Sequence, residues 1–239
     1  MFFQKRNLID FSYKFQLPLK IFRSSRKTIS IQIDENLIKV RAPLLCNQRD
    51  IYNFIEKNET WIKNKVNENK NREKISKNFV DKEIFILKGK SLELRIIDDP
   101  DRNPEINEPF IFAIKDKKIG RKNYLIKEQV HNLYKNFAQK ELEKKTYYYS
   151  IKIGKKPTAI QIKNYKSRWG SCSSKEQLSY NWRIIIAPDN IINYLVVHEL
   201  SHLIHFNHSS KFWDQVENIL PDFKDSRKWL RLNGYKLNL

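Results

Sequence analysis

The stretch VVHELSHLIHFNH, residues 196–208, contains four of the five histidines of the chain, with one glutamate among them. Within it His198, Glu199 and His202 form the pattern HExxH. Residues four positions apart lie on one face of an α-helix, so the two imidazoles can reach the same ion. Neutral imidazole is a good ligand for zinc, with Zn–N bonds of about 2.0–2.1 Å. The pattern therefore predicts a zinc site on a helix.

Glu199 follows the first of these histidines and is rotated from it by about 100° around the helix axis. From there its carboxylate can reach a water at the metal without displacing it, which suits a general base. The apolar residues on both sides of the pattern predict a buried helix and a dry site, where electrostatic interactions are strong. The alternative is that a five-residue pattern arises by chance and that its histidines only form hydrogen bonds in a core.

A catalytic zinc needs a third protein ligand and one open position. His205 points to a similar face as His198 but lies about 10 Å further along the axis, so one straight helix closes a tetrahedron poorly. The segment FNHSS (206–210) contains turn-forming residues that can bring the chain back. We therefore predict His208 as the third ligand, with Glu217 as the alternative. His205 then becomes a supporting or surface residue.

Length and composition predict a folded protein in a reducing compartment. The chain has 239 residues, of which 40% are hydrophobic and 13% aromatic, enough for a buried core. Its two cysteines, Cys46 and Cys172, are far apart in sequence and form no disulfide framework. The N-terminal MFFQKRNLID lacks the apolar core of a signal peptide, and no stretch has the roughly 18 apolar residues of a membrane span. We expect a cytoplasmic protein with no membrane partner.

The formal net charge of +19 has two interpretations. Lysine and arginine attract phosphate groups, so the charge is compatible with a nucleic-acid or nucleotide partner. The positive residues are nevertheless spread along the chain, and lysine, asparagine and isoleucine are all abundant, as in proteins from AT-rich genomes. Compositional drift therefore also explains the charge, and both interpretations stay open.

Patterns in the first half predict a β-rich region with one helix. RKTISIQIDENLIKVRAP (26–43) has the alternation and turn of a β-hairpin, and helical spacing follows at about 48–70. EIFILKG and SLELRII are predicted strands around a turn at Gly89 and Lys90. FIFAI and KNYLI are predicted to flank a second turn at Gly120.

The segment DDPDRNPEINEP (98–109) has the prolines and acids of a linker. We therefore predict an N-terminal β-rich region with one helix at 1–110 and a catalytic domain at 111–239, or one continuous domain. In the second half the predicted elements are a helix at about 126–148, strands at TAIQIKNY and LSYNWRIIIA, a helix opened by Pro188, and two packed helices in KFWDQVENILPDFKDSRKWL.

Several linked motifs resemble the YgjP-like metallopeptidase family, a group of zincins similar to the SprT and WLM metalloprotease domains. They are SRWGSCSS, LSYNWRIIIAP and VVHELSHLIHFNHSSKFW, within about residues 157–235, with looser agreement at RSSRKTISIQI and RAP. The resemblance implies an α+β fold with a zincin-like core. It also implies one zinc ion per chain, held by His198, His202 and His208, with Glu199 as the general base.

By the same resemblance, SRWGSCSS (167–174) lies on an edge strand beside the active-site helix, where an extended substrate pairs with the backbone. We predict three substrate-binding residues there. Gly170 would let another backbone approach, Arg168 could bind a carboxylate or phosphate, and Ser171 could donate to substrate. The alternative is a tight turn in which the arginine forms a structural ion pair. We interpret Cys172 as small buried packing and not as a nucleophile.

Together these patterns predict a zinc-dependent hydrolase, most simply a metallopeptidase. Zinc lowers the pKa of water towards 7, and Glu199 would take the proton as water attacks a carbonyl. Metal-activated water also attacks phosphorus, so one alternative is a metal-dependent nucleotide phosphohydrolase of the nucleoside triphosphate pyrophosphatase type. A second is a nucleic-acid-associated SprT-like protease. A third, a binding module with a structural metal, gives the glutamate no role.

Overall fold

The structure, a computed structural model, describes residues 12–34, 36–70, 77–99, 101–115 and 122–239. The chain forms two compact units, Met1–Lys74 and Ile75–Leu239. Helices and sheets occur in both, which confirms the predicted α+β class. The boundary predicted between residues 110 and 111 falls inside a strand of the second unit.

The first unit combines a three-stranded sheet with short helices. Its first four elements are α1 (Ser12–Phe15), β1 (Leu19–Ser24), β2 (Ser30–Ile33) and β3 (Ile38–Pro43). The strand order is β1-β3-β2, with β1 parallel and β2 antiparallel to the central β3. β2 and β3 form the predicted hairpin, in which Ile31 lies opposite Val40. Ile38, Val40 and Ala42 are fully buried, so every second residue of β3 faces the core.

The single helix predicted at about 48–70 is wrong. Two helices, α2 (Gln48–Lys57) and α3 (Glu59–Lys70), meet at Asn58. The side-chain amide of Asn58 donates to the carbonyl oxygen of Phe54 at 2.7 Å. Asparagine competes in this way for backbone carbonyls, which interrupts a helix. Each helix still buries one apolar face against the sheet of this unit.

The second unit begins with a four-stranded sheet in the order β4-β5-β7-β6. Its strands are β4 (Ile84–Leu87), β5 (Lys90–Ile97), β6 (Glu105–Asn107) and β7 (Phe110–Ile114). β4 and β5 are the two predicted strands, and the turn between them includes Gly89, whose φ of 76° favours glycine. β6 lies in the segment predicted as a linker and pairs with β7, so that segment belongs to the sheet.

The strand predicted for KNYLI is wrong, because these residues open the long helix α4 (Lys122–Ile153). The helix buries a stripe of residues that recur every four positions, namely Ile126, Val130, Tyr134, Ala138 and Leu142. That spacing is typical of a helix face packed on a core. It extends over many more residues than the alternation of polar and apolar residues in KNYLI, which predicted a strand. The turn predicted at Gly120 lies outside the described residues.

A second sheet carries the elements next to the site. Its strands are β8 (Ala159–Lys163), β9 (Gly170–Cys172) and β10 (Gln177–Asn181), in the order β8-β10-β9. β10 pairs parallel with β8 and antiparallel with the edge strand β9. The strand predicted for LSYNWRIIIA is too long, because residues 182–186 form a 3-10 helix. Asn181 ends the strand, since its side-chain oxygen accepts a hydrogen bond from the backbone of Arg183 at 3.3 Å.

Three more α-helices complete the unit: α5 (Asp189–Ser201), α6 (Ser210–Ile219) and α7 (Phe223–Asn233). α5 begins after Pro188 as predicted and packs against α4, α6, α7 and β9. It is apolar nearly all round, as expected of a central helix. Its C-terminal end reaches the surface, where His198 is half-buried. Among the helices of the described residues, none has the length and apolar character needed to cross a bilayer.

The core hydrogen bond between α4 and β10 gives a stability prediction. The hydroxyl oxygens of Thr146 and Tyr180 lie 3.1 Å apart, and the two residues are 1% and 0% exposed. Thr146→Val should leave the tyrosine hydroxyl unpaired and lower the free energy of unfolding in urea by about 1–3 kcal/mol. Adding Tyr180→Phe should recover part of this loss. A double variant less stable than the single one would contradict the expectation.

Candidate metal centre

Three histidines converge at the C-terminal end of α5. His198 lies in its last turns, His202 follows it with near-helical angles (φ −67°, ψ −16°), and His208 returns on the next loop. One ring nitrogen of each lies within 4.8 Å of the others, and the Nε2 atoms of His198 and His208 are 3.1 Å apart. The structure thus brings together the three predicted ligands. In the described part of the chain no other group of histidine, cysteine and acidic side chains converges in this way.

The arrangement fits a divalent metal ion. Nitrogen ligands of tetrahedral zinc lie about 3.4 Å apart. The observed distances, 3.1 Å for one pair and at most 4.8 Å for the others, are on either side of this value. Burial, followed by the neighbouring histidines, lowers the pKa of His198 to about 3. Burial also lowers the pKa of His208. Both imidazoles are then neutral near pH 7, which is the form that binds metals.

The turn after α5 orients His202. Its Nδ1 lies 3.0 Å from the backbone carbonyl oxygen of His205, so Nδ1–H donates and Nε2 is free to face the cluster. His205 therefore supports the site through its backbone. Glu217, the alternative ligand, instead pairs with Lys224 at 2.9 Å.

Two aromatic residues at the start of α6 line the cluster. Phe212 is fully buried and meets the ring of His198 edge-on, with centroids 5.0 Å apart. Trp213 is half-buried and stacks on His208, with centroids 5.5 Å apart and planes inclined by 21°. Because α6 begins two residues after His208, its packing also positions that histidine.

Glu199 is buried beside the cluster, with 4% of its surface exposed. Burial raises the pKa of this carboxyl to about 8, and the positive charge of Arg168 acts in the opposite direction. A divalent cation nearby would favour the carboxylate form further. The structure therefore gives Glu199 the environment of a base with a raised pKa.

Gly170 lies against this glutamate. A Cβ atom at position 170 would come within 2.5 Å of Oε1 and 2.7 Å of Cδ and Cγ of Glu199. The absence of a side chain thus makes room for the enzyme's own carboxylate. On the same strand, burial and then the charge of Glu199 raise the pKa of the Cys172 thiol, which agrees with a packing residue and not with a nucleophile.

Ser171 and Arg168 occupy different surroundings. Successive side chains of a strand point to opposite faces, so Ser171 faces away from the side on which Gly170 meets Glu199. Its hydroxyl lies 3.1 Å from that of Tyr165. Arg168 is exposed, with its guanidinium carbon 5.6 Å from the centroid of the Tyr165 ring. The substrate contacts predicted for Arg168, Gly170 and Ser171 stay predictions.

Sequence reasoning missed Asn181, which shapes the β8–β9 loop. Its side-chain amide donates to the carbonyl oxygens of Tyr165 at 3.0 Å and Arg168 at 3.3 Å. Its backbone N–H donates to the backbone carbonyl oxygen of Trp169 at 2.7 Å. This buried asparagine therefore fixes the loop that carries Arg168. The available signal was an asparagine inside LSYNWRIIIA, a run rich in aromatic and β-branched residues.

We expect the third-ligand assignment to be visible in zinc affinity. His208→Ala should weaken zinc binding by more than about 100-fold, since even loss of a partner that supports a ligand costs about 10–100-fold. His205→Ala and Glu217→Ala should have small effects, because the first uses its backbone and the second pairs elsewhere. Competition with a chelator measures all three. A larger loss at Glu217 would reassign the ligand.

Adding one methyl group at position 170 should disable the glutamate without removing the metal site. Gly170→Ala forces the Glu199 side chain to move, and a misplacement of about 1 Å can cost about 100-fold in rate. The expected result is a large loss of hydrolysis with bound metal retained. Ser174→Ala, in the exposed turn after β9, is the matched control. Unchanged activity in Gly170→Ala would contradict the role of this contact.

Comparison with known proteins supports the assignment of a family. The family model described as "YgjP-like, metallopeptidase domain" matches residues 27–233. No curated protein matches the chain significantly.

Solved structures with some similarity include two metallopeptidase zymogens. Abylysin of Pyrococcus abyssi is 22% identical, with a TM-score of 0.35 over 38% of this chain and 94% of that chain. Jannalysin of Methanocaldococcus jannaschii is 21% identical, with a TM-score of 0.34 over 37% and 92%. The family match alone carries the assignment, because it spans most of the sequence and confirms the predicted resemblance. The chain belongs to the YgjP-like metallopeptidase family and is a metal-dependent hydrolase of that kind.

Proposed function

We propose that the protein is a zinc-dependent peptidase in which His198, His202 and His208 hold the metal and Glu199 is the general base. The observation that carries this proposal is the burial of Glu199, which directly follows His198 on the helix where three imidazoles converge. A structural metal site has no use for such a base. Membership of a metallopeptidase family supports a peptide or protein substrate.

The reaction needs one proton transfer in each direction. Zinc held by His198, His202 and His208 would supply Lewis acidity and lower the pKa of water. A carboxylate oxygen of Glu199 would accept a proton from the attacking water as the water oxygen forms a bond to the substrate carbonyl carbon. The same carboxyl then donates the proton to the amine nitrogen as the C–N bond breaks. The raised pKa of Glu199 suits it to both roles.

The edge strand β9 is the proposed binding place for an extended substrate. It pairs only with β10 in the described structure, so one of its sides has no strand neighbour. Pairing of a peptide there gives affinity through main-chain hydrogen bonds. Arg168, Gly170 and Ser171 lie on or next to this strand, which supports their proposed contacts with substrate. Through its backbone, Ser171 can contribute even though its hydroxyl faces Tyr165.

The phosphohydrolase alternative rests on a specific feature. Arg168 is exposed, and it forms no ion pair with an acidic side chain of the described residues, so it suits phosphate as well as carboxylate. Peptides and nucleoside triphosphates should therefore be tested side by side, with zinc and with magnesium or manganese, from low to high salt. We expect peptide cleavage that needs zinc and tolerates salt. Salt-sensitive triphosphate hydrolysis with no peptide cleavage would overturn the proposal. The cytoplasmic location and a nucleic-acid partner stay predictions.

Glu199→Gln tests the base directly. Glutamine is nearly isosteric but accepts no proton, so peptide hydrolysis should fall by about 100- to 10,000-fold while metal content and fold are retained. Metal analysis and steady-state kinetics on the same preparation measure both properties. Near-normal turnover of the variant would refute the role given to this residue.

A further inference from the structure

Arg227, on α7, places a positive charge beside the histidine cluster. Its guanidinium carbon lies 4.4 Å from the centroid of the Trp213 ring, and that ring stacks on His208. The side chain is exposed.

This arginine has no counter-ion within the described structure. Lys224, one turn earlier on the same helix, pairs with Glu217 at 2.9 Å, whereas no carboxylate of the described residues pairs with Arg227. A lone cation beside a site for a divalent cation opposes metal binding. Contact with the half-buried Trp213 ring compensates only weakly. An anion bound next to Arg227 would offset this repulsion.

The guanidinium also rests on a rigid support. Trp213 stacks on Phe223, with centroids 5.4 Å apart and planes inclined by 14°, and Phe223 is 3% exposed. Arg227 follows Phe223 by four residues on α7, so both contact the same indole. An arginine held in this way loses little freedom when it binds, which favours a recognition role over a solvated surface charge.

We propose that Arg227 binds a carboxylate of the peptide substrate close to the cleaved bond and thereby sets specificity. This inference rests on the proposed peptidase function. The planar guanidinium matches a carboxylate through two parallel hydrogen bonds. The guanidinium carbon and the His208 ring centroid lie 4.4 and 5.5 Å from the same indole centroid, so they are no more than about 10 Å apart. An extended peptide advances about 3.3 Å per residue. The anchored group is therefore within about three residues of the reacting carbonyl, and it is either an acidic side chain or the C-terminal carboxylate.

Peptide binding to the zinc-loaded Glu199→Gln protein tests the proposal, because this variant leaves bound peptides intact. A short neutral peptide is compared with versions that carry one glutamate at each position in turn, and with C-terminal carboxylate or carboxamide forms. A carboxylate at one or two positions should tighten binding by about 10- to 100-fold. Adding Arg227→Gln should abolish this gain, leave the neutral peptide nearly unaffected and retain zinc. The glutamate series shows whether Arg227 recognises an acidic side chain, and the comparison of C-terminal carboxylate with carboxamide shows whether it recognises the peptide C-terminus.

Arg231→Gln is the matched control, because Arg231 is exposed on the same helix and stacks on no aromatic ring of the described residues. Arg227→Glu should transfer the preference to lysine peptides. Equal losses for acidic and neutral peptides, no loss for either, or no peptide binding at all would overturn the inference. Hydrolysis by the unaltered protein is measured separately. Its absence would overturn the peptidase proposal, while the binding comparison still decides the role of Arg227.

Discussion

The site depends on how closely a helix and an edge strand approach each other. Glu199 on α5 lies where a side chain at position 170 of β9 would be, so the carboxylate is buried by backbone instead of by another side chain. This burial raises the pKa of the Glu199 carboxyl and keeps nearly all of its surface away from water. The strand is held in place by its pairing with β10, and β10 is buried against α4. The fold therefore fixes the position of Glu199 through a chain of packed elements.

Local periodicity predicted most of the fold. In the β2–β3 hairpin and in α5, the hydrophobic pattern extends over enough residues to distinguish a strand from a helix. Failures occurred where one side chain redirected the backbone, as at Asn58 and Asn181. Another arose at residues 122–126, where a short alternation concealed the first turn of a long helix. Such outcomes depend on hydrogen bonds and packing partners that a window of five residues does not contain.

The site was predictable to the extent that its residues are neighbours in sequence. HExxH and the turn before His208 lie within one short stretch, so helix geometry was enough to group them. Trp213 lies in a segment that was predicted only as two packed helices, although its ring stacks on His208. Arg227 has no motif and joins the site only because α7 packs beside α6 and α5. Gly170 was selected for the approach of a substrate, and its contact with Glu199 could not be seen without coordinates.

The hydrogen bond from His202 to residue 205 places a demand on geometry and none on side-chain chemistry. The acceptor is a backbone carbonyl, which every amino acid provides. The loop between His202 and His208 is therefore constrained in its length and backbone path, whereas the side chain at position 205 is free to vary. A sequence search that requires a histidine there would discard proteins whose loop performs the same task. The recognisable signature of this segment is its spacing.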